Sequence, residues 1–351
     1  IYSESSLTLP VESVAEFRVD TTTYAAEFGR AAGGMVNLVT KSGTNEFHGS
    51  GYYYYNDQGL AGSKTKDRTG LTPFRRINLK FNEESYGGTF GGPLIQDKLF
   101  FFVNYEKFDR TAPVDIGPAL SGLPTPLVAP TQAEYDAVIA AAKATYNYDP
   151  LAIPASVPEQ SKKVLVNLDW NISDEHRARY SYQKTEDFDV SGYGTSATSR
   201  SYVSPSQWYE RGYRLEQHVV QLFSTWTDAL STEFKYAKKK VANRQDPLGG
   251  NTFAQMTING FANGGAVVIG PDISRHANKL RNQTEQWKLK ANYLLGDHTL
   301  SLGLERDTLD VFNIFVQNAQ GSYVFANLAD FAAKRAASFS YTNSVLSNPN
   351  N

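Results

Sequence analysis

The chain has 351 residues, of which 41% are hydrophobic and 20% charged, and its net charge of -2 leaves no basic footprint for nucleic acid. No stretch approaches the roughly eighteen consecutive apolar residues of a membrane helix, but transmembrane barrels give no such signal because their inward and outward residues alternate. The absence of cysteine excludes disulfides and thiolate metal sites, while 13% aromatics, 27 glycines and only two methionines suit a β-rich, turn-rich protein. The chain opens at Ile1 without a leader and ends in Asn-Pro-Asn-Asn, which suggests an internal piece of a longer protein.

Residues 1–44 form the first expected unit. Val11 to Val19 contains a short strand with Phe17 and Val19 on its buried face. Ala25 to Ala32 is a small-residue segment with room for one or two helical turns, which Gly33-Gly34 breaks. Met35-Val36-Asn37-Leu38-Val39-Thr40 follows as a β-branched run that reads as a buried strand. Lys41 to Asn45 is turn chemistry. The next strand places Phe47, Gly49, Gly51, Tyr53 and Tyr55 on one face and His48, Ser50, Tyr52 and Tyr54 on the other. The domain boundary falls at this junction, giving 1–44 and 45–351.

The run AEFRVDTTTYAAEFGRAAGGMVNLVTKSGTNEFHGS, Ala15 to Ser50, resembles the plug-to-barrel junction of TonB-dependent outer-membrane receptors, and most of all their Oar-like branch. Ser85 to Ile95 and Asp97 to Glu106 resemble the second and third barrel strands of that family. The resemblance implies ligand capture by surface loops, occlusion by a plug, and entry driven by the TonB-ExbB-ExbD complex through a segment outside this chain. It also implies contact with outer-membrane lipid and lipopolysaccharide, no cofactor and no enzymatic step. Its plug positions here are Arg18, Glu27, Arg30, Gly33, Gly34 and Asn37, with Arg18, Glu27 and Arg30 as polar contacts to the barrel lumen. Gly49 and Gly51 would let the first barrel strand bend beside the plug.

Beyond Glu46 the expected fold is mainly β. It is part of a large antiparallel transmembrane barrel, about nine strands and open in this piece, with short helices in its loops. Val164, Val166, Leu168, Trp170 and Ile172 oppose Lys163, Leu165, Asn167, Asp169 and Asn171. Trp287, Leu289, Ala291, Tyr293 and Leu295 oppose Gln286, Lys288, Lys290 and Asn292, and Leu300, Leu302 and Leu304 oppose Ser301, Gly303 and Glu305. Tight turns at Gln96-Asp97-Lys98, Ser173-Asp174-Glu175, Thr227-Asp228-Ala229 and Gly296-Asp297 alternate with long connections: Asp57–Glu83, Thr111–Ser161, Asp187–Gly212 and Asp246–Gln283. That asymmetry marks an outer-membrane barrel with short periplasmic turns and long surface loops. Thr131-Gln132-Ala133-Glu134 is a capping box opening one loop helix, and Ala326 to Ala337 offers another.

For ligand contact the candidates are Tyr52 and Tyr54 on the first barrel strand, and Trp208, Tyr209 and Arg211 as an exposed cluster in a long loop. The run Tyr52 to Tyr55 also suits a mixture of interfacial girdle and lumen wall, as do Trp170, Trp226 and Trp287 near their turns. Lys238-Lys239-Lys240, following a strand, suits a solvated rim within reach of lipopolysaccharide phosphates. Gly29, Gly33 and Gly34 lack a phosphate-loop order, and none of the five histidines has metal-ligand spacing. The ligand class stays open among small molecules, oligosaccharides and peptides. The alternatives are a passive porin or a surface adhesin without energy coupling, and a soluble β-rich module.

Overall fold

The computed structural model describes residues 9–20, 35–60, 64–65, 75–76, 81–192 and 198–343. In chain order the first strands are β1 (Val14–Asp20), β2 (Met35–Thr40), β3 (His48–Asp57), β4 (Lys64–Thr65) and β5 (Arg75–Arg76). Then come β6 (Asn82–Ile95), β7 (Leu99–Pro113), β8 (Ile116–Ala119), β9 (Thr125–Thr131) and helix α1 (Gln132–Tyr146). The middle of the chain supplies β10 (Ser156–Asn171), β11 (His176–Ser191), β12 (Ser201–Val203), β13 (Tyr209–Thr225) and β14 (Leu230–Pro247). Last are β15 (Gln255–Phe261), β16 (Gly265–Ile269), β17 (Ala277–Leu295), β18 (His298–Val316), β19 (Ser322–Phe325), α2 (Leu328–Ala332) and β20 (Ser338–Ser340).

A nine-stranded sheet ordered β18-β17-β14-β13-β11-β10-β7-β6-β3 is the wall of the molecule. Every neighbouring pair is antiparallel, as short turns between sequential strands require. The sheet does not close, and β3 and β18 form its edges. The four expected tight turns all join wall strands at one end, and the long connections leave from the other. The strands run further than the sequence suggested: β14 reaches Pro247 and β17 begins at Ala277, inside the expected loop Asp246–Gln283. At 19 residues, β17 and β18 are about twice the length of a strand that crosses a bilayer at barrel tilt.

Continuous register keeps each strand's alternation in step with its neighbours, so the wall has two distinct faces. The inner face carries β1 and β2, which pair as a separate two-stranded sheet. Here the expectation of a buried strand is corrected: Phe17 is 58% exposed and Val36 59%. Among the described residues no second layer covers that side of the ribbon. Gly49 and Gly51 are likewise corrected, because their positions lie on the outer face and a side chain at Gly51 would meet nothing. A side chain at Gly49 would crowd Thr89 and Phe90 of the neighbouring strand β6, and the tighter approaches are at Gly43, against the backbone of Gly92 and Phe101, and at Gly87, where a Cβ would press on the Tyr52 hydroxyl.

At the long-connection end a second body, the cap, stands on the wall. The mixed sheet β12-β16-β15-β19-β20 packs with α1 and α2 around Tyr135, Val138, Tyr202, Ile258, Val267, Ile269 and Phe331. The Thr131 hydroxyl accepts from the Glu134 N–H and the Glu134 carboxylate accepts from the Thr131 N–H, so the expected capping box opens α1. The second helix is shorter than the expected Ala326 to Ala337. Asn327 caps Asp330, but Lys334 adopts a left-handed φ of 59° and Ser338–Ser340 must be extended to pair with β19.

Candidate functional site

The polar contacts of the inner face cluster where the end of β2 meets the wall. Thr40 Oγ1 accepts from Asn167 Nδ2 at 3.1 Å and from Arg179 Nη2 at 2.8 Å. Asn167 Nδ2 also donates to Lys41 O at 2.7 Å, and Arg179 Nη2 to Thr40 O at 3.2 Å, while Asp169 holds the Arg179 guanidinium at 3.7 Å. Further along, Glu106 accepts from Tyr52 OH at 3.1 Å, from Lys163 Nζ at 3.0 Å and from the Val11 N–H at 3.4 Å. The segment between β2 and β3 is pinned by Asn45, whose amide exchanges two hydrogen bonds with Asp97 in the first tight turn.

These bonds are strong but reversible. Hydrogen bonds to charged groups contribute about 1.5–3 kcal/mol each, yet every partner can turn to water when the ribbon moves away. Among the described residues no apolar core joins the ribbon to the wall. Several wall groups beneath it are shielded yet unbonded, among them both amide atoms of Asn104, Asn167 Oδ1 and Asp169 Oδ2. A dry, fully satisfied interface would resist separation far more.

The structure distributes the sequence candidates unevenly. Arg18 and Asn37 face each other across β1 and β2, whereas Glu27, Arg30, Gly33 and Gly34 lie outside the described residues. Val11, Thr40 and Lys41, which the sequence did not single out, bond the wall directly. Inward Lys163, Asn167 and Asp169, polar residues in a valine-rich strand, were the available signal. Tyr52 faces inward on Glu106, and the exposed Tyr54 lies 5.3 Å from it ring to ring. Trp208 is a correction: it is 1% exposed, packed with Val114, Val157 and Val190 where wall meets cap. Tyr209 and Arg211 belong to β13, not to a loop. Tyr209 lies under the Arg275 guanidinium at 4.2 Å, and Arg211 grips both oxygens of Asp189 at 3.2 and 2.8 Å.

Above the ribbon, the inner face lines a chamber of about 880 Å3 walled by Phe108, Ser161, Asp187, Tyr213, Val241 and Leu280. Among the described residues no group of His, Asp or Glu is arranged to hold a metal ion.

The outer face is different in kind. Leu300, Leu302 and Leu304 are 53%, 73% and 70% exposed, and Trp170, Leu222, Leu289 and Tyr293 continue the apolar surface across the sheet. So large a continuous apolar face is not stable against water. Trp287 stands well inside β17 against Tyr236, 4.3 Å between rings, and not at the turn where a girdle was expected. Lys238 to Lys240 lie within β14 instead of following it, with Lys238 bound to Glu285 across the outer face at 2.6 Å.

A family model described as an outer membrane beta barrel domain matches residues 39–151 and 118–351. The chain belongs to that family. Over 97 residues it is 39% identical to the TonB-dependent transporter Oar of Myxococcus xanthus, a match covering 28% of this chain and 9% of Oar. The fold resembles the outer membrane transporter YddB of Escherichia coli, with a TM-score of 0.62 at 13% identity, over 90% of this chain and 37% of YddB. The chain thus spans well under half the length of either protein. The resemblance to TonB-dependent receptors read from the junction is therefore matched in sequence and in fold, and the apolar outer face sits in the outer membrane of a Gram-negative cell.

Proposed function

We propose that this chain is part of a receptor that binds a ligand at the cell surface and imports it past a plug, using energy from the TonB complex. In this reading residues 1–44 are the end of the plug and residues 45–351 belong to the barrel. The observation that carries it is the contact of Thr40, Lys41 and Val11 with Asn167, Arg179 and Glu106. A segment held across the inner face by exchangeable polar bonds, with no apolar core among the described residues, can block a lumen and still be pulled aside. A passive porin or a surface adhesin has no use for such a releasable contact. The chemistry is transport, with no bond made or broken in the ligand. The outer-membrane setting supplies the lipid contacts, and TonB would act through a segment outside this chain.

The test works whatever the ligand is. Spent medium from a strain lacking the full-length receptor is compared with that of a strain lacking TonB. Energised import requires that every compound left unconsumed without the receptor is also left unconsumed without TonB. A compound that needs the receptor but not TonB would establish passive passage and overturn the proposal.

A further inference from the structure

The chamber on the inner face is built from cross-strand rows. One row runs Phe108, Ser161, Asp187, Tyr213, Asn243 across β7, β10, β11, β13 and β14. In the rows on either side the cations are already engaged: Arg211 with Asp189 at 2.8 Å, and Lys163 with Glu106 at 3.0 Å. Asp187 is not. Its Oδ1 is shielded from solvent and has no hydrogen-bond partner, and the same holds for Ser161 Oγ directly across the strand pair. Asn243 and Asn282 also line the chamber.

A shielded carboxylate oxygen and a shielded hydroxyl left unpaired are each costly, and a pair of them side by side needs a physical explanation. A protonated amine supplies one. It offers several donors, enough for Asp187 and Ser161 together, and its charge opposes that of Asp187. Phe108 and Tyr213, the neighbours in the same row, line the chamber with aromatic side chains, the residue type whose rings attract a cation. An anionic ligand would meet Asp187 with Arg211 and Lys163 already committed elsewhere, so like-charge repulsion would go uncompensated. We infer that this chamber receives the protonated amine of its ligand at Asp187 and Ser161, and so favours amine-bearing ligands over anionic ones. The inference rests on reading the inner face as the ligand's path, and it adds to that reading the chemistry of the ligand.

The test uses purified full-length receptor in detergent and saturation-transfer NMR, with cadaverine, N,N′-diacetylcadaverine and glutarate as probes. Cadaverine should receive saturation at millimolar concentration, and the other two should not. Asp187→Asn should weaken cadaverine about tenfold or more, the loss of one charge-assisted contact, while Asp187→Glu retains binding. A heat-modifiable band shows which variants are folded. If Asp187→Asn does not assemble, Ser161→Ala serves instead and should weaken cadaverine severalfold. The inference is overturned if cadaverine gives no signal, if glutarate or the diacetylated probe matches it, or if the folded variants bind cadaverine like wild type. Such a result would leave the TonB comparison of spent media untouched, whereas failure of that comparison would refute import even with amine binding intact.

Discussion

Wall and cap solve the same problem in opposite ways. The wall turns its large apolar side chains outward, with Leu302 and Leu304 each about 70% exposed, and depends on lipid to cover them. The cap turns its own inward: Tyr135, Val138, Ile258, Val267, Ile269 and Phe331 are fully buried, and the cap carries a core of its own. One is stabilised by its solvent and the other by its packing. The surface connections of this protein are therefore not independent loops. Residues from three of them, those after β7, β11 and β14, share one core with the segment after β18, so these hold or lose shape together.

The sharpest way to break the comparison is a charge on either face of one strand. Leu302→Arg puts a cation in the bilayer, costing about 2–4 kcal/mol, and should strongly reduce the heat-modifiable receptor in outer membranes. Ser301→Arg faces inward, where Ser301 now bonds Asn292, and should assemble at near wild-type level. Equal assembly of the two would refute the assignment of faces. Phe331→Ala should cost the cap about 3–5 kcal/mol through lost burial and the resulting cavity. Protease added to intact cells should then cut around α1 while the barrel band persists. Loss of the whole receptor would show that wall and cap are one cooperative unit.

Asn167→Ala removes two bonds to the ribbon and should loosen it by about 1–3 kcal/mol, read as faster maleimide labelling of a cysteine placed at Lys41. Unchanged labelling would mean that this contact does not hold the ribbon. The smallest effect is one of pH. His276, buried at the root of the cap, accepts from the Gln320 N–H and bonds Pro271 O, and burial pushes its pKa below the ordinary 6.5. The unfolded form then binds a proton more readily than the folded one. The stability it lends is present above about pH 6.5 and declines as pH falls below it. Protease cutting near Gln320 should increase at mildly acidic pH in wild type but not in His276→Gln.

The contrast also explains what could be read from the chain alone. Wall residues obey a period of two, and short polar turns punctuate it, so Gln96-Asp97-Lys98 and Gly296-Asp297 were legible as turns and Leu300 to Leu304 as an outward stripe. The capping box at Thr131 was legible because both its partners lie within one helical turn. The cap sheet was not, since β15 pairs in parallel with β19 across an intervening wall hairpin, and no local pattern announces that. Trp208 was misplaced for the same reason. Its neighbours Val114, Val157 and Val190 come from distant stretches of the chain, so its burial is a tertiary fact. On the inner face, the junction was visible as TKSGTNEF, but the wall residues it touches, Asn167 and Arg179, are more than a hundred residues away.

The central claim is that the ribbon ending at Thr40 must leave the wall for a ligand to pass. Cysteines at Thr40 and Asn167 in the full-length receptor, whose native side chains are hydrogen-bonded, should form a disulfide under oxidation. Oxidised cells should then fail to consume the compounds that require the receptor, and a reductant should restore consumption. Each single-cysteine variant should consume them under both conditions. Undiminished consumption by the cross-linked receptor would contradict the account.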